Sequence, residues 1–278
     1  VLIRGREGVT AVNSLSREQI SSAARIVVKV GSSSISGDNS HQIAPLVDAL
    51  AAAHARGAEV VLVSSGAIAT GMPYLRLSDR PTDLATQQAA ASVGQSLLIS
   101  QYQNSLDRYD IVAGQVLLTA GDLENPTPRS NARRAMDRLL DLRILPIVNE
   151  NDTVATHEIR FGDNDRLAAL VAALVGADLL LLLSDVDALY TRPPDLPGAE
   201  RVSYVASGDS LPGMEFGSTS VNGVGTGGAS TKVSAARLAA AAGTGVLVTA
   251  TTLAAEALRG GGVGTWFEPA AAPFARVW

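Results

Sequence analysis

Arg25-Ile26-Val27-Val28-Lys29-Val30-Gly31-Ser32-Ser33-Ser34 reads as a strand running into a loop of phosphate-binding size. β-Branched side chains lose freedom in a helix and pack well on a pleated surface, so Arg25–Val30 predicts a strand. Gly31 ends it, and the three serines supply turn and cap chemistry. Downstream, apolar residues recur at helical spacing from Ile43 to Arg56 and stop at Gly57. Glu59–Val63 is then a second buried strand that halts at Ser64, Ser65 and Gly66. A strand, loop and helix followed by the same grammar point to an α/β chain with a mainly parallel sheet.

The same alternation continues. The spacing predicts an Ala- and Gln-rich helix over Asp83–Tyr109, a strand over Ile111–Leu118, a helix over Ser130–Leu142 and a strand over Ile144–Val148. Asn149-Glu150-Asn151-Asp152 follows at once, a polar cluster at a strand's carboxyl end, where open α/β sheets place their ligands. Val154–Phe161 alternates like a small hairpin strand, and Gly162-Asp163-Asn164-Asp165 closes it before a helix over Arg166–Val175. Asp178–Leu183 is the most apolar strand and leads into Ser184-Asp185-Val186-Asp187. From Pro193 to Gly228 the chain is loop-rich, and loops of such length are usually functional or mobile. Ser230–Ala242 is read as a helix and Val246–Thr249 as a strand. No repeat or low-complexity linker divides the chain.

Composition narrows the function classes. The 278 residues suffice for a substantial core, and 46% hydrophobic with only 4% aromatic residues suits helices packed on parallel strands. A net charge of -5 offers no broad basic surface for a nucleic-acid backbone. The absence of cysteine excludes disulfides, thiolate metal sites and cysteine catalysis, and it fits a reducing, cytoplasmic compartment. The run around Leu179–Leu183 is too short to span a bilayer, so no membrane partner is expected. Residues 1–24 lack the apolar stretch of a signal peptide and begin with Val1; they read as a poorly ordered flank of little functional bearing.

Several motifs exclude more than they assert. Gly223-Val224-Gly225-Thr226-Gly227-Gly228 matches a dinucleotide fingerprint formally, but polar loop precedes it and no acid follows at ribose distance, which argues against an NAD-dependent oxidoreductase. No Gly-Lys-Ser or Gly-Lys-Thr exists, so the chain is not a P-loop nucleotidase. His41, His54 and His157 show no metal-ligand spacing, and Ser65-Gly66-Ala67 lacks the context of a nucleophile elbow.

What remains is anion chemistry. Gly225–Thr231 joins unobstructed backbone amides to the hydroxyls of Thr226, Ser230 and Thr231 and to a helix N-terminus, with Lys232 just inside. Lys29 and Lys232 are the only lysines in the chain, and both lie beside glycine loops. A lysine in an apolar strand is costly to bury without an anion, so Lys29 is better explained by a ligand than by packing. Asp152, Asp163, Asp165, Asp185 and Asp187 gather at strand ends. Asp163 suits a turn, Asp165 could orient the two lysines, and Asp185 could meet magnesium through water. Cations converging with carboxylates at a magnesium-dependent phosphate site are what phosphoryl transfer requires.

VVKVGSSS (Val27–Ser34), VSSGAIATG (Val63–Gly71), IVNENDTVAT (Ile147–Thr156), FGDNDRLAALVA (Phe161–Ala172), LLSDVDALYT (Leu182–Thr191) and GVGTGGASTK (Gly223–Lys232) together resemble the glutamate 5-kinases of the amino acid kinase family. The resemblance implies a three-layer α/β/α sandwich and ATP-dependent phosphorylation of the γ-carboxylate of L-glutamate, the first step toward proline, with magnesium as cofactor. Carried over by position, Lys29 and Lys232 would stabilise the transferred group and Asp165 would hold them. Ser65, Asp152 and Asn164 would bind glutamate. Ser184, Asp185 and the loop Thr226, Gly227, Gly228, Ala229, Ser230, Thr231 and Lys232 would take the nucleotide, with magnesium held through phosphates and water and no direct protein ligand assigned.

The resemblance also implies a homo-oligomer, a dimer or tetramer, and inhibition by L-proline at a site overlapping that of glutamate. It divides the kinase domain, 25–268, into an amino-acid lobe over 25–175 and a nucleotide lobe over 176–268. Residues 269–278 are read as a tail, where many family members continue into a small RNA-modification-type PUA domain. Ala188 replaces a common glycine and Ala229 a common methionine, both without effect on the chemistry. Another small acid such as acetylglutamate is the alternative acceptor. A sensing module without turnover is disfavoured by the intact Lys29, Asp165 and Lys232.

Overall fold

The computed structural model describes residues 15–154, 164–209, 211 and 228–271. In chain order the elements are β1 (Arg25–Val30), α1 (Ile43–Ala55), β2 (Glu59–Ser64), α2 (Ala67–Gly71), α3 (Leu84–Leu106), β3 (Ala113–Leu118), α4 (Ala120–Glu124), α5 (Pro126–Asp141) and β4 (Leu145–Glu150). There follow α6 (Asn164–Val175), β5 (Leu179–Ser184), β6 (Leu189–Tyr190), β7 (Arg201–Val202), β8 (Tyr204–Val205), α7 (Ala229–Ala241), β9 (Gly245–Ala250), α8 (Ala254–Leu258) and β10 (Thr265–Phe267).

Among the described residues, eight strands form one sheet in the order β3-β4-β2-β1-β5-β9-β10-β8. The first six run parallel, as the strand and helix alternation predicts, whereas β10 pairs antiparallel with β9. Alternate side chains feed two cores. Ile26, Val28, Leu62, Ile147, Leu179 and Leu181 pack with α1, α3 and α8 on one face. Val27, Val61, Val63, Val148, Leu180 and Leu182 pack with α5, α6 and α7 on the other. Strands covered on both faces need apolar residues at every position, which is why β5 reads as an unbroken leucine run.

The sheet topology sets the place of the site. From β1 the chain steps outward to β2, while β5 steps the other way to β9, so the order reverses between β1 and β5. The carboxyl ends of these two strands carry Lys29 and Ser184, at the switch point where such sheets open a crevice.

Several boundaries differ from the sequence expectation, each for a local reason. α5 starts four residues before Ser130, at Pro126, whose fixed φ and missing N–H suit a first helical turn. β4 continues through Asn149 and Glu150, because their backbones pair with Leu117 and Leu118 of β3. The loop-rich stretch after Pro193 also contains two short strands, β7 and β8. The expected hairpin strand over Val154–Phe161 lies outside the described residues apart from Val154, which sits in a turn.

Residues 15–24, read as the end of an inert flank, pack on the domain. Ser16 caps a 3-10 helix over Arg17–Ser22, Ile20 is fully buried, and the Arg17 guanidinium donates to the carbonyls of Ser203 and Val263 at 2.7 and 2.9 Å. Sparse apolar residues gave no periodicity to reveal this. The anchor is Ile20, with Ala23 and Leu15 beside it in the same core and one arginine fork.

Candidate active site

Lys29 is the fifth residue of β1 and faces the layer of α6 and α7, opposite to its neighbours Val28 and Val30. Lys232 lies in the first turns of α7, whose N-cap is Gly228. Asp165 is in the first turn of α6, a position where a helix dipole favours a carboxylate. These three side chains meet. The Lys29 ammonium pairs with one oxygen of Asp165, and the Lys232 ammonium lies 3.2 Å from the other. Asp165 is 0% exposed, Lys29 3% and Lys232 7%, so all three charges are withdrawn from solvent.

The anion expected beside Lys29 is a ligand; the protein itself supplies one in Asp165. That changes the inference without removing it. The three side chains carry two positive charges and one negative, and the triad is formally +1. A carboxylate pinned between two ammoniums holds them a short distance apart, a geometry that suits a further anion.

The Thr231 hydroxyl adds to this arrangement, lying 3.1 Å from Asp165 Oδ2 and 2.9 Å from the Gly228 carbonyl. Gly228, Ala229, Ser230, Thr231 and Lys232 thus sit together at the start of a 13-residue helix, where backbone amides and the dipole favour phosphate. Thr226 and Gly227, expected to share this site, lie outside the described residues, as does Asp163. Ser184 and Asp185 stand at the end of β5; the Ser184 hydroxyl donates to Asp185 Oδ1 at 3.1 Å, and Asp185 is exposed. Asp187 is tied down instead, 3.5 Å from the Arg201 guanidinium and 2.9 Å from the Tyr190 hydroxyl, as suits a loop anchor.

On the opposite face of the sheet the ends of β2 and β4 are polar. Ser65 follows β2 and donates its backbone N–H to the Val30 carbonyl at 3.1 Å, which ties the loop after β2 to the end of β1. Gly66 has φ 103°, a conformation that L side chains rarely adopt, and a Cβ there would also crowd Ser36 Oγ at 3.2 Å. Asn164, one residue before Asp165, donates its amide to the Ser64 carbonyl and to Asn149 Oδ1, both at 2.9 Å. Asn149 in turn donates to Gln95 Oε1 of α3 at 2.7 Å. The Tyr102 hydroxyl meets Ser64 Oγ at 2.9 Å in the core, and burial holds its phenol above the ordinary tyrosine range despite that bond.

Asp152 lines a cleft of about 220 Å³ between α3, β3 and the end of β4, together with Ser92, Gln95, Gln115, Glu150 and Thr153. Its lining holds no basic side chain among the described residues. Sequence reasoning marked Asp152 but missed Gln95 and Tyr102. Both look like ordinary members of a long helix, and only their alignment with Ser64 and Asn149 gives them meaning.

With this geometry in view the relatives are informative. The chain belongs to the amino acid kinase family, whose model matches residues 24–250. More narrowly, it is similar to glutamate 5-kinases along most of its length. It is 78% identical to glutamate 5-kinase of Clavibacter sepedonicus over 91% of this chain and 98% of that protein. Glutamate 5-kinase of Leifsonia xyli subsp. xyli is 75% identical, covering 91% and 94% respectively. Among solved structures, carbamate kinase from Giardia lamblia bound to AMP-PNP superposes with a TM-score of 0.65 at 15% identity, over 90% of this chain and all of that one. At that identity the likeness concerns the fold.

Proposed function

We propose that this chain transfers the γ-phosphoryl group of ATP to the γ-carboxylate of L-glutamate. The observation that carries the reading is the buried Lys29–Asp165–Lys232 triad at the switch point of the sheet. The relatives' shared activity supports the choice of acceptor.

The acceptor is already an anion at neutral pH and needs no general base. The chemical problem is to bring carboxylate and phosphate oxygens together against their repulsion and to stabilise charge on the phosphoryl group in flight. Lys29, from the end of β1, and Lys232, from the start of α7, approach that group from two elements. Asp165 is the positioning residue that fixes both ammoniums. Holding them beforehand avoids reorganisation when charge develops.

The nucleotide belongs at the carboxyl end of β5 and the amino end of α7. Ser184 with Asp185, and Gly228 to Lys232, offer hydroxyls, backbone amides and one cation there, a donor set that fits a polyphosphate. The exposed Asp185 carboxylate fits a water-mediated contact to magnesium, which when bound with ATP offsets phosphate charge. Ser65, Asn164 and Asp152 are the residues assigned to the acceptor: Asn164 is tied to the end of β2 through the Ser64 carbonyl, Ser65 follows that strand, and Asp152 lines the cleft beside α3.

Lysine variants test the assignment. Lys29→Ala and Lys232→Ala should each lower kcat about a hundredfold or more, close to 3 kcal/mol, with smaller effects on KM. Steady-state ADP formation with L-glutamate is the measurement. Near-normal turnover by either variant would sink the assignment of roles.

A further inference from the structure

The hydrogen-bonded side chains beneath the strand ends have a polarity that can be deduced. The Ser64 carbonyl can only accept, so the group of Asn164 that faces it at 2.9 Å is the amide NH2, and the same NH2 reaches Asn149 Oδ1 at 2.9 Å. Asn149 Oδ1 also receives the Glu150 backbone N–H at 2.8 Å, and that group can only donate. Asn149 is therefore oriented independently from two sides. Its NH2 must point to Gln95, 2.7 Å away, and Gln95 must answer with its carbonyl oxygen.

The consequence appears at the end of the chain. With Oε1 committed to Asn149, the Gln95 NH2 remains as a pair of donors with no partner among the described residues, and Gln95 lines the cleft that holds Asp152. At the other end, Asn164 is the immediate neighbour of Asp165 and hence of the lysine pair. The path from the lysines through Asp165, Asn164 and Asn149 to Gln95 joins the reacting end of the site to the cleft.

We infer that Gln95 is a specificity-determining residue that reads the acceptor's second carboxylate, the one not phosphorylated, through its side-chain NH2. This rests on the glutamate kinase reading above and extends it to the far end of the substrate. An acid whose reacting carboxylate lies at the lysines directs its other end toward the cleft. There a zwitterionic head group finds complementary chemistry, with Gln95 donating to the carboxylate and Asp152 accepting from the ammonium. An N-acylated acid lacks the positive charge that matches Asp152.

Gln95→Glu separates recognition from support, because it keeps an oxygen for the Asn149 NH2 while replacing the two donors by a negatively charged acceptor. The variant should raise KM for L-glutamate at least about tenfold, the size of a lost hydrogen bond to a charged group, with KM for ATP and melting temperature close to wild type. Gln95→Met, which removes the donors without adding charge, should move KM for glutamate in the same direction by less. Calorimetric titration with L-glutamate in the absence of ATP should show the same ranking of Kd. Unchanged KM and Kd for glutamate in both variants would overturn the inference, as would a loss that falls equally on ATP and glutamate with a lowered melting temperature. If Gln95→Glu does not fold, Gln95→Met decides alone. Wild-type protein that binds glutamate without phosphorylating it would count against the kinase reading and leave the Gln95 test to the titration.

Discussion

Asp165 is buried with two ammoniums against its two oxygens, so neutralising it should harm stability as well as activity. Asp165→Asn removes the carboxylate charge that both ammoniums face. Breaking a buried ion pair from one side costs about 3–5 kcal/mol, and urea unfolding of this variant should show a loss of that size beside a near-complete loss of turnover. A midpoint equal to wild type would mean that the lysines are not held as described. At this scale the sequence was generous with charged residues: two lone lysines beside glycine loops in an arginine-based chain were conspicuous, and so was Asp165 beside a helix start. It was silent about Gln95 and Tyr102. An uncharged polar residue in a helix becomes informative only when the opposing strand end is known, and here that is the carboxyl end of β2 or β4.

The elements hold these residues through close contacts that composition does not advertise. α2 begins directly after the Ser65-Gly66 turn and crosses α3 through reciprocal glycines: a Cβ on Gly94 would lie 1.8 Å from the Ala67 carbonyl oxygen, and one on Gly71 would lie 1.9 Å from that of Ala90. Neither backbone can yield locally. Gly94→Ala should therefore cost about 3 kcal/mol by overpacking and, by pushing α2 outward, raise KM for the acceptor more than KM for ATP. A stable variant with normal KM would show that α2 does not set the turn. Strands and long helices were largely legible because their periods differ and their lengths are sufficient, whereas α2, α4, α8 and β10 are too short to show a period.

α1 offers a pH test at the same scale. The His54 ring contacts the Arg143 carbonyl at 3.1 Å, and partial burial lowers the imidazole's affinity for a proton in spite of that contact. The folded value lies below the unfolded 6.5, so on acidification the unfolded chain binds the proton first. This contribution to stability is whole above the unfolded value and is lost as pH falls through the folded one. Thermal melts at about pH 7.5 and about pH 5.5 should differ less in His54→Gln than in wild type. An unchanged difference would assign the acid sensitivity to other groups.

Across the whole molecule, the two sheet faces have separate tasks. The layer of α6 and α7 brings Asp165 and Lys232, the layer of α3 presents Gln95 and Tyr102, and the strand ends between them carry Lys29, Asn149 and the Ser65 turn. The sheet's far edge was hardest to foresee, because β8 and β10 are short and the packing of residues 15–24 involves contacts across the length of the chain. Ile20→Ala should lower stability by about 2–5 kcal/mol, as expected for a fully buried large aliphatic residue, with kcat nearly unchanged. Chemical denaturation checks the first part and the ADP assay the second. No loss of stability would mean that this segment merely rests on the domain.

The most direct test of the account is product identity. The protein is incubated with ATP, magnesium and hydroxylamine in the presence of L-glutamate, aspartate or N-acetylglutamate, and hydroxamate is measured with ADP. The account predicts hydroxamate from L-glutamate, matched mole for mole by ADP, and little from the other acids. No hydroxamate from L-glutamate, or more from N-acetylglutamate than from glutamate, would contradict it.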